Sequence, residues 1–226
     1  KDGSIDEELF LACVRGGGAR GMIVSSFVDG LEPNWEAQRD RLAKVLVETC
    51  RRLHREKYGQ FVTVGMLYNH ESPLRPPNYL SRRLSLGVAA IKRGEAKELQ
   101  LGDLSAERDW SDARDVVQAM WLSLQAAQPD DFVFASGTPK RVEEFVATAF
   151  RAAGLDWREF VRTTPRTDAQ QQVTLGLCGN PHKAETELGW KRQWSFDAMV
   201  ADLVQAELEN RSELERANPA ATPLPL

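Results

Sequence analysis

Phe61-Val62-Thr63-Val64-Gly65-Met66-Leu67-Tyr68 is the stretch whose reading decides the fold. It is rich in β-branched and apolar residues and predicts a strand buried within a sheet. Upstream, Leu42, Val45, Leu46, Thr49 and Leu53 share one face of a long helix predicted over about 36–57, with Arg and Glu on the other face. Before that helix, Met22-Ile23-Val24 reads as a brief buried strand, followed by turn signals at Asp29-Gly30 and Pro33-Asn34. Downstream, 132–135 predicts another strand, and Lys97–Leu101 and Phe160-Val161 are strand-like. Helical spacing marks 5–14, with Ile5, Leu9, Phe10 and Val14 on its face, and 79–93 after a Pro-rich turn at 73–77. A helix over 111–125 is expected to take Ser111 as its cap and to turn Val116, Val117, Met120, Trp121 and Leu124 inward. Another opens at Thr138-Pro139 and buries Val142, Phe145, Val146, Ala149 and Phe150. Helices over 182–188 and 195–208 precede an Ala/Pro-rich tail over 217–226. Strands alternating with helices of this length imply an α/β fold with a mostly parallel sheet. The span between 61–68 and 132–135 is too long for one crossover, so something is inserted there.

Composition narrows the function classes. The 226 residues are 42% hydrophobic, 27% charged and 8% aromatic, ordinary values that argue against disordered, collagen-like and coiled-coil chains. Lys and Arg total 29 against 33 Asp and Glu, a net charge of −4. A nucleic-acid or membrane-surface role calls for a basic patch or a polybasic run, and neither is present. Cys13, Cys50 and Cys178 form no paired spacing and no metal knuckle, which fits the cytoplasm or another reducing compartment. No apolar run approaches the roughly 18 residues of a membrane span, and the opening Lys-Asp-Gly-Ser is no signal peptide.

Gly16-Gly17-Gly18-Ala19-Arg20-Gly21 satisfies the dinucleotide-binding pattern G-x-G-x-x-G literally. That pattern works when the glycines follow a strand and open a helix, so that backbone N–H groups and the helix N-terminus meet the pyrophosphate. Here a predicted helix precedes them and a predicted strand follows. They read as a helix stop, where glycine tolerates left-handed geometry.

A second series of motifs is more telling. The chain reads Asn69-His70-Glu71-Ser72-Pro73, then Arg75, then Tyr79-Leu80-Ser81-Arg82-Arg83. Arg108-Asp109-Trp110 and Ala119-Met120-Trp121 follow, then Gly154-Leu155-Asp156-Trp157, Pro165-Arg166, and Asn180-Pro181-His182-Lys183 leading to Leu188-Gly189-Trp190. This succession resembles the C-terminal part of the GDP-mannose 4,6-dehydratases, extended short-chain dehydrogenase/reductases, from about residue 58 to 205. The resemblance implies the later part of a Rossmann-type parallel sheet with an interleaved, smaller α/β substrate-binding subdomain. Residues 1–68 would hold residual Rossmann-like strand–helix units. Residues 69–216 would be mostly a nucleotide-sugar-binding region with one returning sheet strand near 131–135, and 217–226 a flexible tail. It further implies that Asn69 faces the diphosphate of a nucleotide sugar, that Arg108 offers it a bidentate cation, and that Arg82 and Arg166 belong to the same substrate-binding set. Arg75 and Arg82-Arg83 would contribute to subunit contacts near the cofactor. Read without the family, Arg75, Arg82 and Arg83 form a solvated charged patch, and Arg108 beside Asp109 is a surface pair. His70 and Glu71 fit either an acid/base pair or a turn.

The departures from the family are concentrated upstream. Members of this superfamily use a Tyr-x-x-x-Lys pair with a Ser or Thr: the lysine lowers the tyrosine pKa, and the phenolate takes the sugar hydroxyl proton while NADP accepts hydride. Counting back from Tyr58-Gly59 puts Asp40 at the tyrosine position and keeps Lys44 as the lysine. A carboxylate titrating near about 4 is a weak base and a shorter reach than a phenolate. Phe27 falls at the hydroxyl position, with Ser25 or Ser26 as alternatives one or two residues away, and Asp29 falls where the dehydration Glu is usual. Ala169 and Gln172 replace an Arg and a Glu expected near the nucleotide. The remnant catalytic set is therefore Lys44, Asp29 and Ser26. The expectation is a degenerate, non-catalytic relative that keeps a nucleotide-sugar scaffold for binding or assembly and binds no NADP by itself. A GDP-sugar ligand and a homo-oligomeric or protein partner covering the sheet edge are expected, and neither nucleic acid nor membrane insertion. The alternatives are an active NADP-dependent dehydratase seen as a fragment, and a structural subunit without ligand.

Overall fold

The computed structural model describes residues 21–26, 51–163 and 178–217. The expected helix at 5–14, most of the helix at 36–57, the tail beyond Ala217, and Phe27, Asp29, Asp40, Lys44, Arg166, Ala169 and Gln172 lie outside the described residues. Along the chain run β1 (Gly21–Ser26), a π-helical segment (Arg51–Lys57), β2 (Val62–Leu67), β3 (Asn69–Glu71) and α1 (Leu80–Lys92). Then come β4 (Leu99–Leu101), β5 (Glu107–Arg108), β6 (Trp110–Asp112), α2 (Ala113–Gln125) and β7 (Asp131–Phe134). The last elements are β8 (Lys140–Arg141), α3 (Val142–Ala152), α4 (Trp157–Phe160), β9 (Val161–Thr163), α5 (His182–Glu187) and α6 (Phe196–Ala217). The chain divides into a sheet unit, Lys1–Asn69 with Arg114–Gly137 and Gly179–Arg192, and a helical unit, His70–Ala113 with Thr138–Cys178 and Gln193–Leu226.

The sheet unit carries the parallel order β1-β2-β7. Val62, Thr63, Val64 and Gly65 are all buried, as a central strand covered on both faces requires. Arg55 anchors the amino ends of the strands: its Nε donates to the Val62 carbonyl and its Nη2 pairs with Asp131 at 2.5 Å. The core gathers Leu67, Val116, Ala119, Phe132, Phe134, Ala184 and Trp190. Trp190 meets Phe134 edge-on at 5.8 Å and donates its indole N–H to the Asp115 carbonyl at 2.9 Å, so the buried ring leaves no orphaned donor.

The helical unit packs α1, α3 and α6 on Leu84, Val88, Phe145, Val146, Phe150, Leu203 and Val204, with Trp110 of β6 edge-on to Phe145 at 5.0 Å. Three short pairings frame it: β3 with β6, parallel β4 with β9, and antiparallel β5 with β8.

Five expectations change. Ser111 caps no helix; it is buried in strand β6, and α2 begins at Ala113. Val117 and Trp121 are exposed (62% and 60%), while α2 buries Asp115, Val116, Ala119 and Ser123. The reason is close approach: Ser123 Oγ stands 3.1 Å from Thr63 Oγ1 of β2, and small residues permit that spacing where large ones would not. The helix expected from Thr138-Pro139 starts only at Val142, because Lys140–Arg141 is claimed by the ladder with β5 and Glu144 accepts from the Arg141 N–H at 2.9 Å. Phe160 ends the short helix α4 and is not part of strand β9, and α6 extends past 208 to Ala217. No helix among the described residues is long and apolar enough to cross a membrane.

Candidate functional site

The sheet register sets three strand ends level: Ser26 faces Leu67, and Leu67 faces Phe134. In parallel α/β sheets, ligands collect outside these carboxyl ends. From β2 the chain leaves as Tyr68-Asn69, and from β7 as Ala135-Ser136-Gly137. The Tyr68 N–H donates to the Phe134 carbonyl at 3.1 Å, so the two exits stay paired one residue beyond the ladder. Gly179 is pressed onto this crest. A Cβ there would stand 2.3 Å from the Ala135 Cβ and 2.8 Å from the Tyr68 ring, so the backbone approaches as only glycine allows. The next residues are fastened in place. Asn180 Oδ1 accepts from the His182 N–H at 3.0 Å at the start of α5, and Arg192 donates to the Ser136 carbonyl and pairs with Glu185 at 3.5 Å. Of the expected site residues, the sheet therefore brings Ser26 and Asn69 to one end.

In the helical unit the residues after Asn69 form a tight polar knot. Glu71 is buried; it accepts from the Ser81 hydroxyl and pairs with Arg75 at 3.3 Å. Burial pushes the Glu71 carboxyl up from its ordinary value, against the opposing pull of Arg75, Ser81 and His70. Arg75 also donates to the His70 carbonyl at 2.7 Å and lies over the Tyr79 ring at 4.1 Å. Arg82 pairs with Glu207 of α6 and donates to the Pro73 carbonyl. Arg75 and Arg82 are thus largely drawn inside, and of the expected solvated patch only Arg83 is exposed. Arg108 lies half-buried in β5 and donates to its neighbour's carbonyl, that of Glu107, at 2.8 Å. Asp109 beside it is fully buried and no surface residue. The Cys178 residue is exposed, and partial desolvation of its thiol together with Asp109 pushes the thiol up from its ordinary value, which keeps it from being a ready thiolate. Among the described residues no three His, Cys, Asp or Glu side chains stand together to hold a metal ion.

Residues 41–203 match the family described as GDP-mannose 4,6 dehydratase. The chain belongs to this family. It is 42% identical over 156 residues to GDP-mannose 4,6 dehydratase 2 of Arabidopsis thaliana, covering 69% of this chain and 42% of that protein. It is 39% identical over 183 residues to the GDP-mannose 4,6 dehydratase of Cricetulus griseus, covering 74% of this chain and 48% of the relative. The chain therefore spans less than half the length of these relatives. Its fold is similar to that of RMD from Pseudomonas aeruginosa, solved with NADPH (TM-score 0.74, 18% identity, 89% of this chain and 71% of that one). It is also similar to a dTDP-glucose 4,6-dehydratase from Streptomyces venezuelae solved with NAD (TM-score 0.69, 23% identity, 91% and 65%). The architecture is thus Rossmann-type α/β.

Lys44, Asn69, Arg82, Arg108 and Arg166 fall inside the family match; Ser26, Asp29 and Asp40 fall before it. The described residues do not fit a dinucleotide pyrophosphate. Gly21 is the first residue of β1, so the Gly16–Gly21 run leads into a strand, and none of β1, β2 or β7 is followed by a described glycine loop opening a helix. Sequence reasoning missed Gly179, Arg192 and Glu207. Glu207 had a readable signal: it falls on the stripe of Val200, Leu203 and Val204, and a carboxylate on an apolar stripe needs a buried partner.

Proposed function

We propose that this chain supplies the nucleotide-sugar side of a GDP-mannose 4,6-dehydratase-type fold, and that it binds a GDP-sugar without completing the dehydration. The observation that carries the reading is Asn69: it lies inside the family match and two residues beyond the level carboxyl end of a parallel sheet. In this reading Asn69, Arg108 and Arg166 meet the diphosphate and nucleotide, and Arg82 fixes the loop that follows Asn69. Lys44, Asp29 and Ser26 are what remains of the catalytic set. Asp40 cannot replace a lysine-tuned phenolate as general base, which is why turnover is not expected. Three strands with β1 at the edge of the described sheet also favour a further segment beside β1, from the same polypeptide, a second copy or another protein.

Thermal unfolding with GDP-mannose, GDP and UDP-glucose tests the binding. A ligand of the native state at a hundredfold its Kd adds about 2.7 kcal/mol, so the guanosine ligands should raise Tm and the uridine sugar should not. A shift with none of the three would remove the nucleotide-sugar reading and leave a structural subunit. Incubation with GDP-mannose and NADP tests catalysis separately. A second reading, an active dehydratase seen in part, is favoured by the identity to dehydratases and by Lys44. Formation of the 4-keto-6-deoxy sugar would select it.

A further inference from the structure

We propose that Arg82 is a latch between the C-terminal helix α6 and the loop of residues 72–79, so that the seating of α6 sets the order of that loop. The inference concerns the loop's conformation and stands whether or not the chain binds a nucleotide sugar.

One nitrogen of Arg82, Nη1, joins distant parts of the helical unit: it donates to the Pro73 carbonyl in the loop and forms an ion pair with Glu207 Oε1 on α6. The guanidinium is planar and rigid, so the nitrogen that is bonded to Pro73 also keeps its charge against the Glu207 carboxylate. Glu207 is 5% exposed, and its own turn is held from the far side, where Arg93 Nη1 donates to the Glu207 carbonyl at 3.4 Å and Arg93 Nε pairs with Glu95 at 3.1 Å. The carboxylate therefore presents a fixed point, and Arg82 carries that point to Pro73.

The loop depends on such polar ties. Its tip residue Leu74 is 93% exposed, so apolar burial does not hold the tip down. At its foot Arg75 donates to the His70 carbonyl and lies over Tyr79, and the Leu74 N–H is accepted by Ser72 Oγ at 3.2 Å. Those contacts close the loop on itself, and the Arg82 bond joins it to a helix packed elsewhere in the unit. The charge-assisted bond to Pro73 and the ion pair with Glu207 are both stronger where water is scarce, and they share one guanidinium. Without the Glu207 charge, the Arg82 head, already partly exposed, gains more from solvent than from Pro73 alone.

The test is amide hydrogen exchange on the full chain, read at Leu74, Arg75 and Tyr79, whose N–H groups are bonded within the loop. Glu207→Gln and Arg82→Gln should each speed exchange there about tenfold, and the double variant should add nothing further, since both singles cut one connection. Amides of α3 should keep their protection. Glu209→Gln, an exposed charge loss on the same helix, should leave the loop as it is. Should Glu207→Gln not fold, Glu207→Asp keeps the charge, shortens the reach and carries the same test with a smaller rise. Unchanged exchange at the three loop amides would overturn the proposal. So would a rise shared equally by α3, which would make the pair a support of the whole unit and no latch.

Discussion

The two units solve the same problem, a buried interior for an ordinary α/β composition, in opposite ways. The sheet unit relies on a parallel ladder, an aromatic cluster and a backbone that closes to contact distance at Gly179. The helical unit lets three apolar helix stripes meet, then places Glu71 and Glu207 inside them, each answered by an arginine. The first arrangement tolerates little change of shape; the second tolerates little change of charge. That difference explains why Arg75 and Arg82, a solvated patch by sequence alone, are drawn in against Glu71 and Glu207.

Glycine-to-alanine substitutions break the comparison most directly. At Gly179 the new methyl meets the Ala135 Cβ and the Tyr68 ring, neither of which can swing away, so Gly179→Ala should cost about 1–3 kcal/mol in denaturant unfolding. At Gly87 in α1 the new methyl would stand 2.7 Å from Leu99 Cδ1, the far end of a flexible side chain. There the gain of about 1 kcal/mol in helix propensity works against a local repacking, and the net change should stay within about 1 kcal/mol of zero. Equal losses at the two glycines would mean that the sheet unit is not the shape-limited one.

Acid sharpens the contrast. Burial raises Glu71 and Glu207 above their ordinary 4.5, burial outweighing Arg75 in one case and Arg82 in the other. A raised carboxyl contributes stability fully below the ordinary value and loses it as pH rises through the folded value. Asp130 in the sheet unit moves the opposite way: burial raises it, but the bonds from Lys183 and the Asp131 N–H lower it further. Its contribution is present above its ordinary 3.8 and lost as pH falls through the lowered value. Lowering pH from 7 toward 4.5 should therefore shift the stability difference between the parent and Glu71→Gln in the parent's favour. Between the parent and Asp130→Asn, further acidification should shift it against the parent. Urea unfolding of each pair across the range reads both slopes, and a common sign would refute the assignment.

How much of this was legible follows from the same division. The α/β class and the strands near 61–68 and 132–135 were readable because buried parallel strands advertise themselves as apolar runs between helices. The family motifs carried the fold further than periodicity could. Side-chain partnerships were harder to read: Arg82 and Glu207 are 125 positions apart, and nothing local joins them. The Ser111 cap failed because a polar residue before a helix looks alike whether it ends a loop or lies in a strand. Here β3 supplied the partner strand, which no local window contains.

The smallest expected effect tests the plainest of these errors. Helical spacing with Val116, Val117, Met120 and Leu124 predicts an inward Trp121. Its exposure of 60% says that α2 is seated through Val116, Ala119 and Ser123, whose small side chains let the helix approach Thr63 of β2. Removing a ring that is mostly in water takes little apolar area from the folded state, so Trp121→Ser should change unfolding stability by no more than about 0.5 kcal/mol. Ala119→Leu, by contrast, forces bulk into the close contact and should cost about 1–3 kcal/mol. If Trp121→Ser costs several times more, and the loss grows with protein concentration in the parent, the ring is covered by a second copy in solution. The helix would then be holding an interface with the side chains that its own sheet leaves unused.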